Sequence, residues 1–215
     1  MKPSLVIWDW NGTLLDDLAL CNDCLNQLLS EHGYPQQYDR ARYQEIFGFP
    51  IVDYYQKAGF DFTQHSFEQL SARFMELYLP ASAECTLCPG AKEALTAIRS
   101  AGIPQIILSA SPLNVLQNQV AALGLSDFFD KLLGQNNIYA HSKKEAGLAF
   151  MAEHTIDRSQ VVMIGDTLHD YEVACAMGTN SILCAAGHQS RSRLSSCGVP
   201  VIDTLCELPK LFTLS

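Results

Sequence analysis

The chain has 215 residues, 48% of them hydrophobic and 17% charged, and a net charge of −9. That length supports one good core, or a core with a small insert. Only 14 Lys and Arg are present and they are scattered, which argues against a nucleic-acid backbone as the partner. No apolar run reaches the roughly 18 residues of a bilayer span. No signal-peptide pattern opens the chain, so the expected compartment is cytoplasmic, with no membrane partner.

In chain order, residues 4–9 read as a buried strand: a short apolar run with Val, Ile and Trp, ended by Asp9. Gly12-Thr13 turns the chain, and Asp16 and Asp17 are good caps for a helix over about 17–32, which Gly33-Tyr34-Pro35 ends. Residues 36–80 show helical apolar spacing at Phe67, Leu70, Phe74 and Leu77 but no convincing strand, and read as a helical insert. From Pro89 the pattern alternates. Helices are predicted over 90–102, 113–123 and 144–154 and through Val173 to Met177; strands are predicted at 105–108, 132–133, 161–164, 181–184 and 199–202. This order predicts a Rossmann-like parallel α/β sheet with helices on both faces. Eight cysteines include two CxxC pairs, Cys21/Cys24 and Cys85/Cys88. About 60 residues separate the pairs, and neither has a knuckle-like context, so they are read as reduced, mostly buried thiols rather than a zinc site.

In open parallel sheets the ligand sits beyond the carboxyl ends of the strands. Those ends supply Asp9, Asn11, Gly12 and Thr13; Ser109, Ala110 and Ser111; then Gly165-Asp166 and Asp170; with Lys143 and Lys144 opening a helix between. Carboxylates converging from two strands suit a hard divalent cation. Hydroxyl, backbone N–H and ammonium groups suit a phosphate. Together they outline a site for phosphoryl transfer, with Asp9 as a candidate nucleophile.

Four stretches, in order, resemble the motifs of the haloacid-dehalogenase superfamily: Asp9-Trp10-Asn11-Gly12-Thr13-Leu14, Ile107-Leu108-Ser109, Lys143, and Gly165-Asp166-Thr167-Leu168-His169-Asp170. The insert resembles the helical cap of the phosphoglycolate-phosphatase-like branch. The resemblance implies a core of residues 1–15 and 86–215 with a cap over 16–85. It also implies a magnesium-dependent phosphatase of a small phosphorylated metabolite, acting through an aspartyl-phosphate. Asp9 would attack phosphorus. Asp9, the Asn11 carbonyl and Asp166 would hold Mg²⁺, with Asp170 supporting the metal site. Ser109, Ala110 and Lys143 would hold the phosphoryl oxygens, and Thr13 would position Asp9. A monomer or homodimer is expected.

The pattern breaks at Asn11, where phosphatases of the superfamily carry a second Asp that protonates the leaving group and activates water. An amide cannot do that work, which typically contributes ~10²–10⁴-fold. Restoring Asp at position 11 is therefore expected to raise turnover. The alternative is a catalytically weakened member that binds a phospho-ligand or a protein. Two other groups are candidates for a part in the chemistry: His188, which follows a strand end, and Lys57, the one cap lysine.

Overall fold

The computed structural model describes residues 2–135 and 143–213. Six strands form a single sheet in the order β3-β2-β1-β4-β5-β6, and every pairing is parallel. They are β1 (Leu5–Trp8), β2 (Gln105–Pro112), β3 (Lys131–Gln135), β4 (Val161–Gly165), β5 (Asn180–Cys184) and β6 (Val201–Ile202). The chain builds outward from β1 to one edge and then from β4 to the other. That reversal places a crevice beyond the end of β1, which pairs with both β2 and β4.

β1 is buried at every position, as a strand covered on both faces must be. Its side chains alternate between two layers. Val6 and Trp8 join α5 (Ala91–Ser100) and α6 (Leu113–Ala122) on one face. Leu5 and Ile7 join α7 (Lys143–Glu153) and α8 (Leu168–Met177) on the other. Four helices lie between β1 and α5: α1 (Leu18–Glu31), α2 (Arg40–Ile46), α3 (Ile51–Ala58) and α4 (Phe67–Ser82). They share a separate cluster built on Leu25, Leu28, Tyr43, Tyr54, Tyr55 and Leu70. Two one-turn helices, α9 (Arg191–Leu194) and α10 (Leu208–Leu211), complete the chain.

The expected elements are present, with shifted ends. β2 runs on to Pro112 rather than stopping at 108, with its register to β3 shifting between Leu108 and Pro112. Proline lacks an N–H, but its carbonyl still serves a strand end. Asp17 stands at the N-cap of α1 yet makes no side-chain capping bond. Its carboxylate is turned toward the crevice instead. Among the described residues, no helix is long and apolar enough to cross a membrane.

Candidate active site

Asp9 leaves the end of β1 and meets Lys143, the first residue of α7, in a buried ion pair. The same ammonium lies 2.5 Å from Asp170 Oδ1. Lys144 is exposed, so position 143 is the one that faces the site. The second Asp170 oxygen accepts from the backbone N–H groups of Asp166 (3.1 Å) and Thr167 (3.0 Å) and from the Thr167 hydroxyl (2.7 Å). Asp170 thus caps its own helix and anchors the lysine at once.

Asp166, at the end of β4, is in no ion pair among the described residues, though the His188 charge acts on it. Its Oδ1 accepts from the Thr13 hydroxyl (3.1 Å) and its Oδ2 from the His188 backbone N–H (2.6 Å). Thr13 therefore orients Asp166, where the sequence led us to expect it on Asp9. Two glycines allow this approach. Gly12 sits at φ +73°, and a Cβ there would collide with the Asp166 carboxylate and the His188 ring; a Cβ at Gly187 would strike the same carboxylate.

Burial raises the Asp166 carboxyl to about 8, despite the opposing His188 charge. Burial also raises Asp9 to about 6, with Lys143 pulling the other way. Asp170 stays below the usual range, because Lys143 and the Thr167 hydrogen bond outweigh its burial. One carboxylate oxygen from each of Asp9, Asp166 and Asp170 falls within a 4.8 Å cluster. Two oxygen-rich strand ends and a buried acid that is in no ion pair among the described residues suit a hard divalent ion.

Asn11 sits in a second buried network. Its amide donates to Asp17 Oδ2 and to the Tyr78 hydroxyl, both at 2.8 Å, and its Oδ1 accepts from Ser111 Oγ at 2.7 Å. Tyr78 in turn donates to Asp17 at 2.7 Å, and Gly12 N–H to Asp17 Oδ1 at 2.9 Å. His188 Nε2 lies 3.1 Å from Asp17 Oδ1, and its Nδ1 meets the Tyr43 hydroxyl at 2.9 Å. Burial opposes a charged imidazole here, yet the Asp17 carboxylate raises His188 to about 9. The His188 charge likewise keeps Asp17 below its ordinary value against its own burial. Sequence reasoning missed Asp17, Tyr78 and Tyr43. It flagged His188 as a residue that reaches the site, and the structure brings it there.

The site opens into a cavity of about 290 Å³ lined by Asp9, Asn11, Ala110, Ser111, Lys143 and Asp166 on the sheet side. Ser109 is buried just behind, where its hydroxyl accepts from Ser111 N–H at 3.0 Å. Lys57 is exposed on α3, away from the cavity. All eight cysteines are free; Cys24 and Cys88 are buried, Cys21 and Cys85 half-buried. Among the described residues, the two CxxC pairs do not assemble into a metal cluster.

Known proteins agree with this architecture. The chain is 28% identical over 222 residues to a Dickeya dadantii protein named "Probable phosphatase IndB", covering 97% of this chain and 92% of that one. It is 27% identical over 192 residues to phosphoglycolate phosphatase from Rhodobacter capsulatus, covering 88% and 87%. A haloacid dehalogenase-like family hydrolase from Streptococcus pneumoniae has the same fold, with a TM-score of 0.80, 20% identity and 98% of both chains covered. Residues 6–184 match the family described as haloacid dehalogenase-like hydrolase, and the chain belongs to that family.

Proposed function

We propose that the chain is a magnesium-dependent phosphatase of a small phosphorylated metabolite, working in the cytoplasm through an aspartyl-phosphate on Asp9, with residues 16–85 as its cap. One observation carries this reading: Asp9, Lys143 and Asp166 converge on one buried site that opens into a cavity. An Asp9 oxygen attacks phosphorus, and the bond from phosphorus to the leaving oxygen breaks with its electron pair on that oxygen. Water then attacks phosphorus, the bond to Asp9 breaks, and inorganic phosphate leaves with the carboxylate restored. Lys143 holds Asp9 in place and neutralises charge on the transferring oxygens. Ala110 and Ser111 stand where strand-end groups meet a phosphate, with Ser109 fixing the Ser111 backbone. Asp9, the Asn11 carbonyl and Asp166 are the residues that would hold Mg²⁺, while Asp170 acts through Lys143. Magnesium supplies charge neutralisation for the phosphoryl group.

A screen of phosphorylated metabolites with and without magnesium, repeated on Asp9→Asn, tests the assignment. Asp9→Asn is expected to abolish turnover and keep the fold, because Lys143 retains Asp170 at 2.5 Å. Turnover near the wild-type level in that variant overturns the reading. Phosphate binding without any turnover by the wild type favours the alternative of a catalytically weakened binder.

A further inference from the structure

The cap side of the cavity is lined by Phe47, Phe49, Ile51, Tyr54, Phe74 and Met75. Aromatic rings here pack against one another and against the core: Phe47 stacks on His188 at 4.7 Å between centroids, and Phe49 on His169 at 4.7 Å. The cavity's cationic side chains, among the described residues, are Lys143 and His188. Lys143 is held between Asp9 and Asp170, and His188 is held by Asp17. The volume of about 290 Å³ exceeds the ~150 Å³ that accommodates a benzene ring, so it holds a phosphoryl group and a ring together.

A ligand carrying a second anion would push that anion among aromatic side chains and toward Asp17. It would lose its hydration there and gain no cation in exchange, the unpartnered groups on that wall being two neutral hydroxyls, of Tyr54 and Ser71. We infer that the substrate is a phosphate ester whose organic part is an uncharged apolar body, aromatic or of aromatic size, and not a phosphorylated carboxylic acid. This rests on the phosphatase reading and narrows it. It also sets the chain apart from relatives whose name specifies phosphoglycolate. Phe74 and Met75 of α4 are the side chains placed to select the ligand, since they line the cavity and stand outside the phosphoryl-binding groups.

The test uses two non-hydrolysable probes of opposite character, benzylphosphonate and phosphonoacetate, with binding measured by calorimetry in magnesium. In parallel, turnover of 4-nitrophenyl phosphate is measured. Benzylphosphonate is expected to bind tighter by about tenfold or more, a range that a filled apolar pocket supplies. Met75→Lys, which places a cation on the cap wall, is expected to reverse the order. Phe74→Ala is expected to weaken benzylphosphonate several-fold and leave phosphonoacetate unchanged. Equal binding of the two probes, tighter binding of phosphonoacetate, or no binding of either overturns the inference. If the binding contrast holds and 4-nitrophenyl phosphate is not turned over, the hydrolase reading fails and the pocket chemistry stands.

Discussion

Replacing Asn11 by Asp restores the residue that the superfamily pattern carries, and from sequence that change is expected to raise turnover. The structure predicts a different first effect. The Asn11 amide nitrogen lies 2.8 Å from Asp17 Oδ2, so the variant sets one carboxylate against another. Two ionised oxygens at 2.8 Å repel by about 6 kcal/mol at an effective dielectric of 20. Holding an ordinary carboxyl protonated at pH 7 instead costs about 4 kcal/mol, so protonation wins and about 4 kcal/mol is the ceiling on the loss. The sign follows from linkage. The folded-state pKa of the new pair is raised above the unfolded value, so the penalty is absent below the unfolded pKa and grows as pH rises toward the folded one. At pH 5 it falls to about 1.5 kcal/mol. For a chain of this size each kcal/mol moves the Tm by roughly 2–4 °C, giving a deficit of at most roughly 8–16 °C at pH 7 and at most about 3–6 °C at pH 5. Thermal unfolding of both proteins in chelator, from pH 5 to 8, measures it. A variant as stable as wild type at pH 7 and above, or a deficit that widens toward acid, refutes the reasoning. The double variant Asn11→Asp with Asp17→Asn keeps one carboxylate and one amide in the network and is expected to recover about 2 kcal/mol or more. Any gain in turnover from a carboxylate at position 11 is expected in the double variant, not in the single one.

Lys143→Met leaves the buried Asp170 and Asp9 carboxylates without their cation and is expected to cost about 3–5 kcal/mol in urea unfolding at neutral pH; a loss below about 1 kcal/mol contradicts the pairing. Magnesium is expected to raise the Tm more at pH 8 than at pH 6. With Asp9 raised to about 6 and Asp166 to about 8, the metal-free fold loses stability as pH climbs above the unfolded carboxyl pKa, and an ion that binds the deprotonated pair reverses that loss. An equal or larger rise at pH 6 speaks against these two residues as ligands. Among esters that fit the cavity, aryl and acyl phosphates are expected to turn over faster than alkyl ones. Both Asn11 amide hydrogens are engaged, by Asp17 and Tyr78, and none is free for a leaving oxygen. Rapid hydrolysis of benzyl phosphate relative to phenyl phosphate shows that another group donates the proton.

What the sequence disclosed, and what it hid, follows from how far each interaction reaches along the chain. Asp9 and Asp166 were legible because each follows an apolar run, and a carboxylate there has to leave the sheet at its carboxyl edge. The Thr167–Asp170 capping box is likewise local, three residues apart. The extension of β2 was hidden by Ser109, Ser111 and Pro112, which read as a turn when the neighbouring strand is unknown. The one-turn helices α9 and α10 carry too few residues for a periodic signal. Asp17 was misread for a related reason. An Asp before a helix has a good local explanation as a cap, and nothing nearby shows that its partners are Tyr78 and His188, 61 and 171 positions away.

That hidden residue bears on the one place where the pattern breaks. The buried site gathers four carboxylates, Asp9, Asp17, Asp166 and Asp170, and two cations, Lys143 and His188. The excess of two negative charges is what one divalent ion would neutralise, and Asp166 is the acid that burial raises most, to about 8, against the pull of the His188 charge. A fifth carboxylate at position 11 would leave the site one charge over. Asn11 keeps the carbonyl and the volume of an acid while donating to Asp17. In this chain the buried charge next to position 11 is that of Asp17, with His188 as its counter-ion, and the amide at position 11 adds a donor to it rather than a second charge. The coupling between positions 11 and 17 is the test: additive effects of the two substitutions on stability would mean that the amide at 11 and the acid at 17 do not act as one network.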